Sequence, residues 1–177
     1  MASDTPQVIT DAPGVDAVVR SARDAGRFAI DFEFLWERTY SPQPCLVQVA
    51  VGDEIHLIDP IEGAPIEPLA AMVADPSLLT IMHAPSADLT LLAMNYDTSP
   101  ANLVDVQLAA GFVGLGAGQG LSVLLDRVLK VRLDKGEQYT DWSRRPLSSR
   151  QLRYACADVE HLERLWGELC ERAERLG

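Results

Sequence analysis

Phe28-Ala-Ile-Asp31-Phe-Glu33-Phe34 is the stretch from which the fold can be read. It runs apolar as a buried strand does, then presents two carboxylates. Side chains on a strand alternate faces, so Asp31 and Glu33 project from the same one. Two carboxylates held side by side repel each other unless something positive stands between them. A divalent cation that prefers hard oxygen ligands, Mg²⁺ or Mn²⁺, meets that need. Taken alone, the pair also fits a solvated strand end, which is the commoner case. The rest of the chain has to decide.

Working outward, the spacing predicts a loose lead-in over residues 1–13, with Val8, Ile9 and Thr10 as a short edge strand. A helix is expected from Asp16 to Gly26, with Val15, Val18, Val19 and Ala22 at helical spacing and Gly26 as its stop. The strand at Phe28–Glu33 follows. Next comes an aromatic-rich loop in which Pro42 and Pro44 forbid a helix. Strands at Cys45–Val51 and Glu54–Asp59, joined by a tight turn at Gly52-Asp53, complete a three-stranded antiparallel meander. A helix at Leu69–Ala74 leads to an apolar strand at Leu79–His83. Ser86 is expected to cap a helix running through Met94, with Asp88 in its first turn. A short strand at Leu103-Val104 precedes a helix from Val106 to Phe112, capped by Asp105. The glycines at 111, 114, 116, 118 and 120 follow a helix and lack a closing Gly-Lys-Ser/Thr, so they form a helix connection rather than a phosphate loop. A helix at Leu121–Leu129, an irregular basic segment and one last helix close the chain. That last helix is expected to run unbroken from Ser148, in a capping box with Gln151, to about Arg175.

The 177 residues, 47% apolar and 23% charged, are those of one globular domain, residues 1–177. No apolar run reaches the length of a membrane span and no leader pattern opens the chain, which points to a cytoplasmic protein. Cys45, Cys156 and Cys170 have no disulfide or zinc spacing and read as small core or surface thiols. The net charge of −11 argues against extensive contact with nucleic acid. Yet eight of the fifteen basic residues fall between Arg127 and Arg153. An acidic protein therefore carries one locally basic segment, which is either a solvated loop or a phosphate contact.

On the last helix Tyr154 and Asp158 are four residues apart and share a face. Asp31, Glu33 and Asp88 all fall at the carboxyl ends of strands, where sites assemble in open α/β sheets. Four carboxylates and a phenol are the ligand set of a two-metal centre for displacement at phosphorus, with ions about 3.5–4 Å apart.

Three motifs, Asp31-Phe-Glu33, His83-Ala-Pro-Ser-Ala-Asp88 and Tyr154-Ala-Cys-Ala-Asp158, resemble those of the DEDD 3′→5′ exonucleases of the tyrosine subclass. Glu37 to Gln48, Ile58-Asp-Pro60 and Asp141-Trp-Ser-Arg-Arg-Pro-Leu147 look like ribonuclease D. The likeness covers roughly residues 15 to 170 and implies a ribonuclease H-like α/β fold, with three antiparallel strands, then parallel strands, flanked by helices. It also implies that Asp31, Glu33 and Asp158 hold one metal and that Asp31 bridges to a second served by Asp88. Tyr154 would orient the attacking water. Phe32 stands where ribonuclease D usually has Thr and is expected to point away from the site. Pro85-Ser86-Ala87 replaces larger polar residues.

The resemblance implies a single-stranded RNA substrate and release of nucleoside 5′-monophosphates. Ribonuclease D normally continues into two C-terminal helical domains, whereas this sequence stops at Gly177. With few phosphates neutralised by an acidic chain, the expected substrates are short oligoribonucleotides down to dinucleotides, as in short-chain relatives such as nanoRNase C. The alternatives are ribonuclease D-like trimming of tRNA or structured RNA 3′ ends, a DNA exonuclease, and an inactive nucleic-acid-binding module. For gripping the substrate, the expected residues are Lys135, Gln138, Arg144 and Arg145 at phosphates. Phe34, Leu35, Trp36 and Tyr40 are expected to wedge or stack against bases. Gln48 is read as facing either the cleft or a neighbouring strand, and His83 as either a satisfied core residue or part of the site. Trp142 is read as a core anchor. The acidic final helix is either solvated or a homo-oligomer face.

Overall fold

The computed structural model describes residues 8–36, 40–133 and 140–177. Six strands form one sheet: β1 (Val8–Ile9), β2 (Arg27–Leu35), β3 (Gln43–Val51), β4 (Glu54–Ile58), β5 (Leu79–Met82) and β6 (Leu103–Asp105), in the spatial order β1-β4-β3-β2-β5-β6. The meander β2-β3-β4 is antiparallel, while β5 and β6 add in parallel beside β2 and β1 lies parallel to β4 at the far edge. This is the mixed sheet expected from the sequence.

Alternation along β2 and β3 sorts the two faces. Phe28, Ile30, Phe32, Val47, Val49 and Val51 pack on one side. They meet α1 (Ala12–Ala25), α2 (Glu67–Val73) and α3 (Ser86–Tyr96). Ala29, Ala50 and Ile81 face α4 (Val106–Phe112), α5 (Leu121–Leu129), α6 (Ser149–Val159) and α7 (Leu162–Leu176) on the other. Phe32 is buried on the first side, away from the carboxylates, as its position in the alternation requires.

Three local expectations need correction. Helix α1 begins at Ala12, not Asp16, because Asp11 caps it by accepting from the Gly14 N–H at 2.9 Å. Pro13 sits in the first turn, where a missing N–H costs nothing. Ser86 is the first residue of α3 rather than its cap; Pro85 holds the cap position without a side-chain bond. The last helix is two helices, α6 and α7, interrupted at Glu160-His161. The apolar spacing of Leu152, Ala155, Val159, Leu162, Leu165 and Leu169 runs through the break and cannot reveal it. What turns α7 is its packing with α4 and α5 in a shared core. No helix of the described residues is long and apolar enough to cross a membrane.

Candidate active site

The acidic centre is built from three elements. Asp31 and Glu33 leave β2 on the α6 face, and the ladder with β3 shifts register immediately after Glu33. Such an irregularity re-aims the strand end where side chains must converge. Asp158 comes from the last turn of α6. The ligand oxygens of Asp31, Glu33 and Asp158 lie within 4.8 Å of one another. Asp88 joins from the first turn of α3, buried and close enough to add to the charge felt by Asp31 and Glu33.

The turn that delivers Asp88 is held from behind. Ala84 adopts a left-handed backbone, φ 52°, which a residue with a Cβ takes only under constraint. Its N–H donates to the Asp105 carboxylate at 3.0 Å, and the same oxygen caps α4 through the Gln107 N–H at 2.8 Å. Sequence reasoning found the cap but not the second bond, because that bond spans 21 residues.

Electrostatics follow from the crowding. Burial, then Asp88, Asp158 and Glu33, hold the Asp31 carboxyl well above the ordinary carboxylate range. Burial, then Asp158 and Asp88, push Glu33 up to about 8. Burial raises Asp88 and Asp158 to about 7 each. Among the described residues no cationic side chain offsets this repulsion in any of the four. A half-buried all-oxygen donor set whose charge is unbalanced fits hard divalent cations.

These shifts make stability depend on pH. With folded values raised to about 7–8 over unfolded values near 4, the folded protein binds more protons than the unfolded chain in that window. Stability of the metal-free protein is therefore full at low pH within the window and lost as pH rises through it. In EDTA, Tm is expected to fall between pH 5.5 and 8.5. A loss of only about 2 kcal/mol gives a drop of about 4–8 °C for a chain of this size. Excess Mg²⁺ or Mn²⁺ at pH 8.5 is expected to restore it in a thermal-shift assay. A profile that is flat or rises with pH would contradict the clustering.

Around this centre the other expected residues divide. Tyr154 is half-buried on α6, one turn before Asp158, with its ring 6.1 Å from that of Trp142 at 43°. Trp142 is buried and anchors its loop, as expected. Leu35 packs into the small cluster that includes Trp142 and Tyr154, whereas Phe34 turns to the opposite core. That removes Phe34 from the substrate side. Trp36 and Tyr40 are exposed and available for stacking. His83 is half-buried with Nε2 3.0 Å from the Gln119 carbonyl, the satisfied state foreseen as one of its two readings. Lys135 and Gln138 lie outside the described residues. Both Cys45 and Cys156 are pushed up to about 11 by burial, the behaviour of inert thiols.

One expectation is at odds with the structure. Arg145 is not a phosphate contact: every guanidinium N–H is already used. Nε and Nη2 bind the Asp59 carboxylate at 2.5 and 2.6 Å, Nη2 also the Cys45 carbonyl, and Nη1 the Trp142 and Arg144 carbonyls. Gln48 is wholly buried in β3, the second of its two readings. Arg144 differs from its neighbour. It is 83% exposed and, among the described residues, pairs with Asp141 at 3.0 Å, a weak surface pair that a phosphate can replace. Part of the basic segment is spent within the protein, since Arg127 holds the Leu115 carbonyl, while Arg132 pairs with Asp126 only at the surface, as Arg144 does with Asp141.

Comparison with known proteins agrees with this geometry. Residues 6–174 match the model of the 3′-5′ exonuclease family. Ribonuclease D of Gluconacetobacter diazotrophicus is 38% identical over 173 residues, 97% of this chain and 44% of the relative. The crystal structure of Escherichia coli RNase D, an exoribonuclease involved in structured RNA processing, superposes with a TM-score of 0.83. It is 35% identical, covering 96% of this chain and 45% of that one. Brucella melitensis NrnC bound to pGG gives a TM-score of 0.77 at 27% identity, covering 95% of this chain and 80% of that one. The chain thus spans less than half the length of the ribonuclease D relatives and most of the length of NrnC. With the family match running over nearly the whole chain and the acidic residues of its motifs converging in space, the chain belongs to the 3′-5′ exonuclease family and has its ribonuclease H-like fold.

Proposed function

We propose that this chain is a divalent-metal-dependent 3′→5′ exoribonuclease acting on short single-stranded oligoribonucleotides and releasing nucleoside 5′-monophosphates. The observation that carries this reading is the convergence of Asp31, Glu33 and Asp158 oxygens within 4.8 Å, with Asp88 beside them. Asp31, Glu33, Asp88 and Asp158 are the residues that would hold two Mg²⁺ or Mn²⁺ ions, Asp31 serving both. Bound there, such ions would supply Lewis-acid stabilisation at the phosphate and lower the pKa of water. The protein's own part is positional. The phenol of Tyr154, held by the ring of Trp142, orients the attacking water. Arg144 meets a phosphate, and Trp36 or Tyr40 stacks on a base.

Substrate length follows from charge. A protein of net charge −11, with Arg127 and Arg145 engaged internally, neutralises few phosphates and gains little from a long strand. The likeness to NrnC, seen with pGG and separately with Mg²⁺, supports the same choice. A second reading, trimming of structured RNA 3′ ends, is favoured by the higher identity to ribonuclease D.

The test is a timed digestion, with Mg²⁺ or Mn²⁺ and an EDTA control, of 5′-labelled RNA of two, seven and about twenty nucleotides beside matched DNA. The dinucleotide is expected to disappear fastest, and EDTA to stop all cleavage. Equal rates on the dinucleotide and the twenty-mer would remove the short-substrate reading in favour of trimming. Faster cleavage of DNA would overturn the RNA assignment. Metal-independent binding without product would leave a nucleic-acid-binding module.

A further inference from the structure

Gln48 lies in the middle of β3, fully buried, with neither amide atom bonded to a protein group among the described residues. Buried polar side chains are ordinarily satisfied, so an orphan amide in the sheet asks for an explanation. The strand register supplies its surroundings. Gln48 stands opposite Asp31 on β2 and Leu57 on β4. Opposed residues of antiparallel strands share a face, with Cβ atoms about 4.5–5.5 Å apart. On that face Leu46, Ala50 and Leu57 are apolar and buried, and α6 covers Leu46 and Leu57 with Leu152 and Ala155. Among these neighbours, Asp31 is the one whose side chain can use a hydrogen-bond donor.

Asp31 is short of donors. Its side-chain companions Glu33, Asp88 and Asp158 are acceptors, and the donor that favours its charged form is the backbone N–H of Phe32, which acts on Asp88 as well. A ligand carboxylate must be ionised and held in one orientation, which partners behind it accomplish. A lysine or arginine at position 48 would supply donors but also a charge competing with the cation. A neutral amide supplies donors without that charge.

We propose that Gln48 is a positioning residue for Asp31: its amide N–H, unbonded here and opposite Asp31 in the register, would turn to the carboxylate once a cation holds that carboxylate ionised. The idea rests on the reading of the acidic cluster as a metal site. It accounts for a buried amide that packing alone leaves unexplained.

The test uses Gln48→Leu and Gln48→Met, which keep length and bulk while removing the amide. Tm in EDTA and Mn²⁺ affinity by titration calorimetry are measured beside wild type and Asp31→Asn. In either variant, Tm in EDTA is expected to be unchanged or higher, because an unsatisfied polar group has gone. Mn²⁺ affinity is expected to fall about 10-fold, within the range usual for partners behind a ligand. On RNA, kcat is expected to fall while KM stays within about twofold, since Gln48 touches no substrate. A lower Tm in EDTA with unchanged Mn²⁺ affinity would make Gln48 a merely structural residue and overturn the proposal. Binding lost in Asp31→Asn but kept in both Gln48 variants would overturn it too, leaving the metal site standing. A wild-type protein that takes up no Mn²⁺ would remove the metal site and this inference together.

Discussion

Asp31→Asn is expected to remove nearly all nuclease activity, by about 10³-fold or more, while leaving the protein folded. The size follows from the position. Asp88, Asp158 and Glu33 each add to the charge environment of Asp31. In the proposed mechanism it serves both cations. Metal-ion stabilisation of a phosphoryl transition state is worth several kcal/mol, and each 1.36 kcal/mol is tenfold in rate. The same substitution is expected to raise Tm in EDTA at pH 8, since one member of a self-repelling buried cluster becomes neutral. Opposite signs on stability and activity distinguish a functional acidic centre from a structural one. The measurement is single-turnover cleavage at saturating Mn²⁺, with thermal melts in EDTA. A folded variant cleaving within tenfold of wild type would falsify the assignment.

Arg145→Met is expected to be the most destabilising single change outside the hydrophobic core. Arg145 and Asp59 are 15% and 3% exposed and form a two-pronged ion pair, with Asp59 also accepting from the Ile61 and Glu62 N–H groups. Removing the guanidinium leaves a buried carboxylate without its counter-charge and three carbonyls without their donor. Breaking one partner of a buried pair costs about 3–5 kcal/mol, which lowers Tm by about 10 °C for a chain of this length. Activity is expected to fall as well. The bonds to Cys45 and Trp142 tie the Trp142 loop to β3, and Trp142 is the ring against Tyr154. The double change Asp59→Leu with Arg145→Met is expected to regain much of the stability, because an apolar pair carries no desolvation cost. Thermal melts of the two variants decide this. A single variant as stable as wild type would show that the pair contributes nothing.

The carboxylate positions were legible because they obey local rules. Period two puts Asp31 and Glu33 on one face, period 3.6 puts Tyr154 and Asp158 on another, and Asp88 opens a helix that follows a strand. The meander, the parallel strands and their order of appearance were legible for the same reason, since alternation and turn residues are written in neighbouring positions. Arg144 and Arg145 were not separable in this way. They are adjacent, identical in chemistry, and equally suited to a phosphate. Only the fold brings Asp59, 86 residues away in the chain, against one and leaves the other in solvent.

Gln48 carries the same lesson. Its alternation with Val47 and Val49 fixed the face but not what covers that face, and α6 over the sheet turned a possible cleft residue into a buried one. The break between α6 and α7 was hidden because the apolar rhythm continues through it while the backbone turns to reach α4 and α5. The sequence by itself determined the strand and helix types, the family and the acidic residues, all of which depend on spacing within a few positions. The tertiary structure alone decided which polar groups face substrate and which are consumed in holding the site, because burial and pairing are set by segments far apart in the chain.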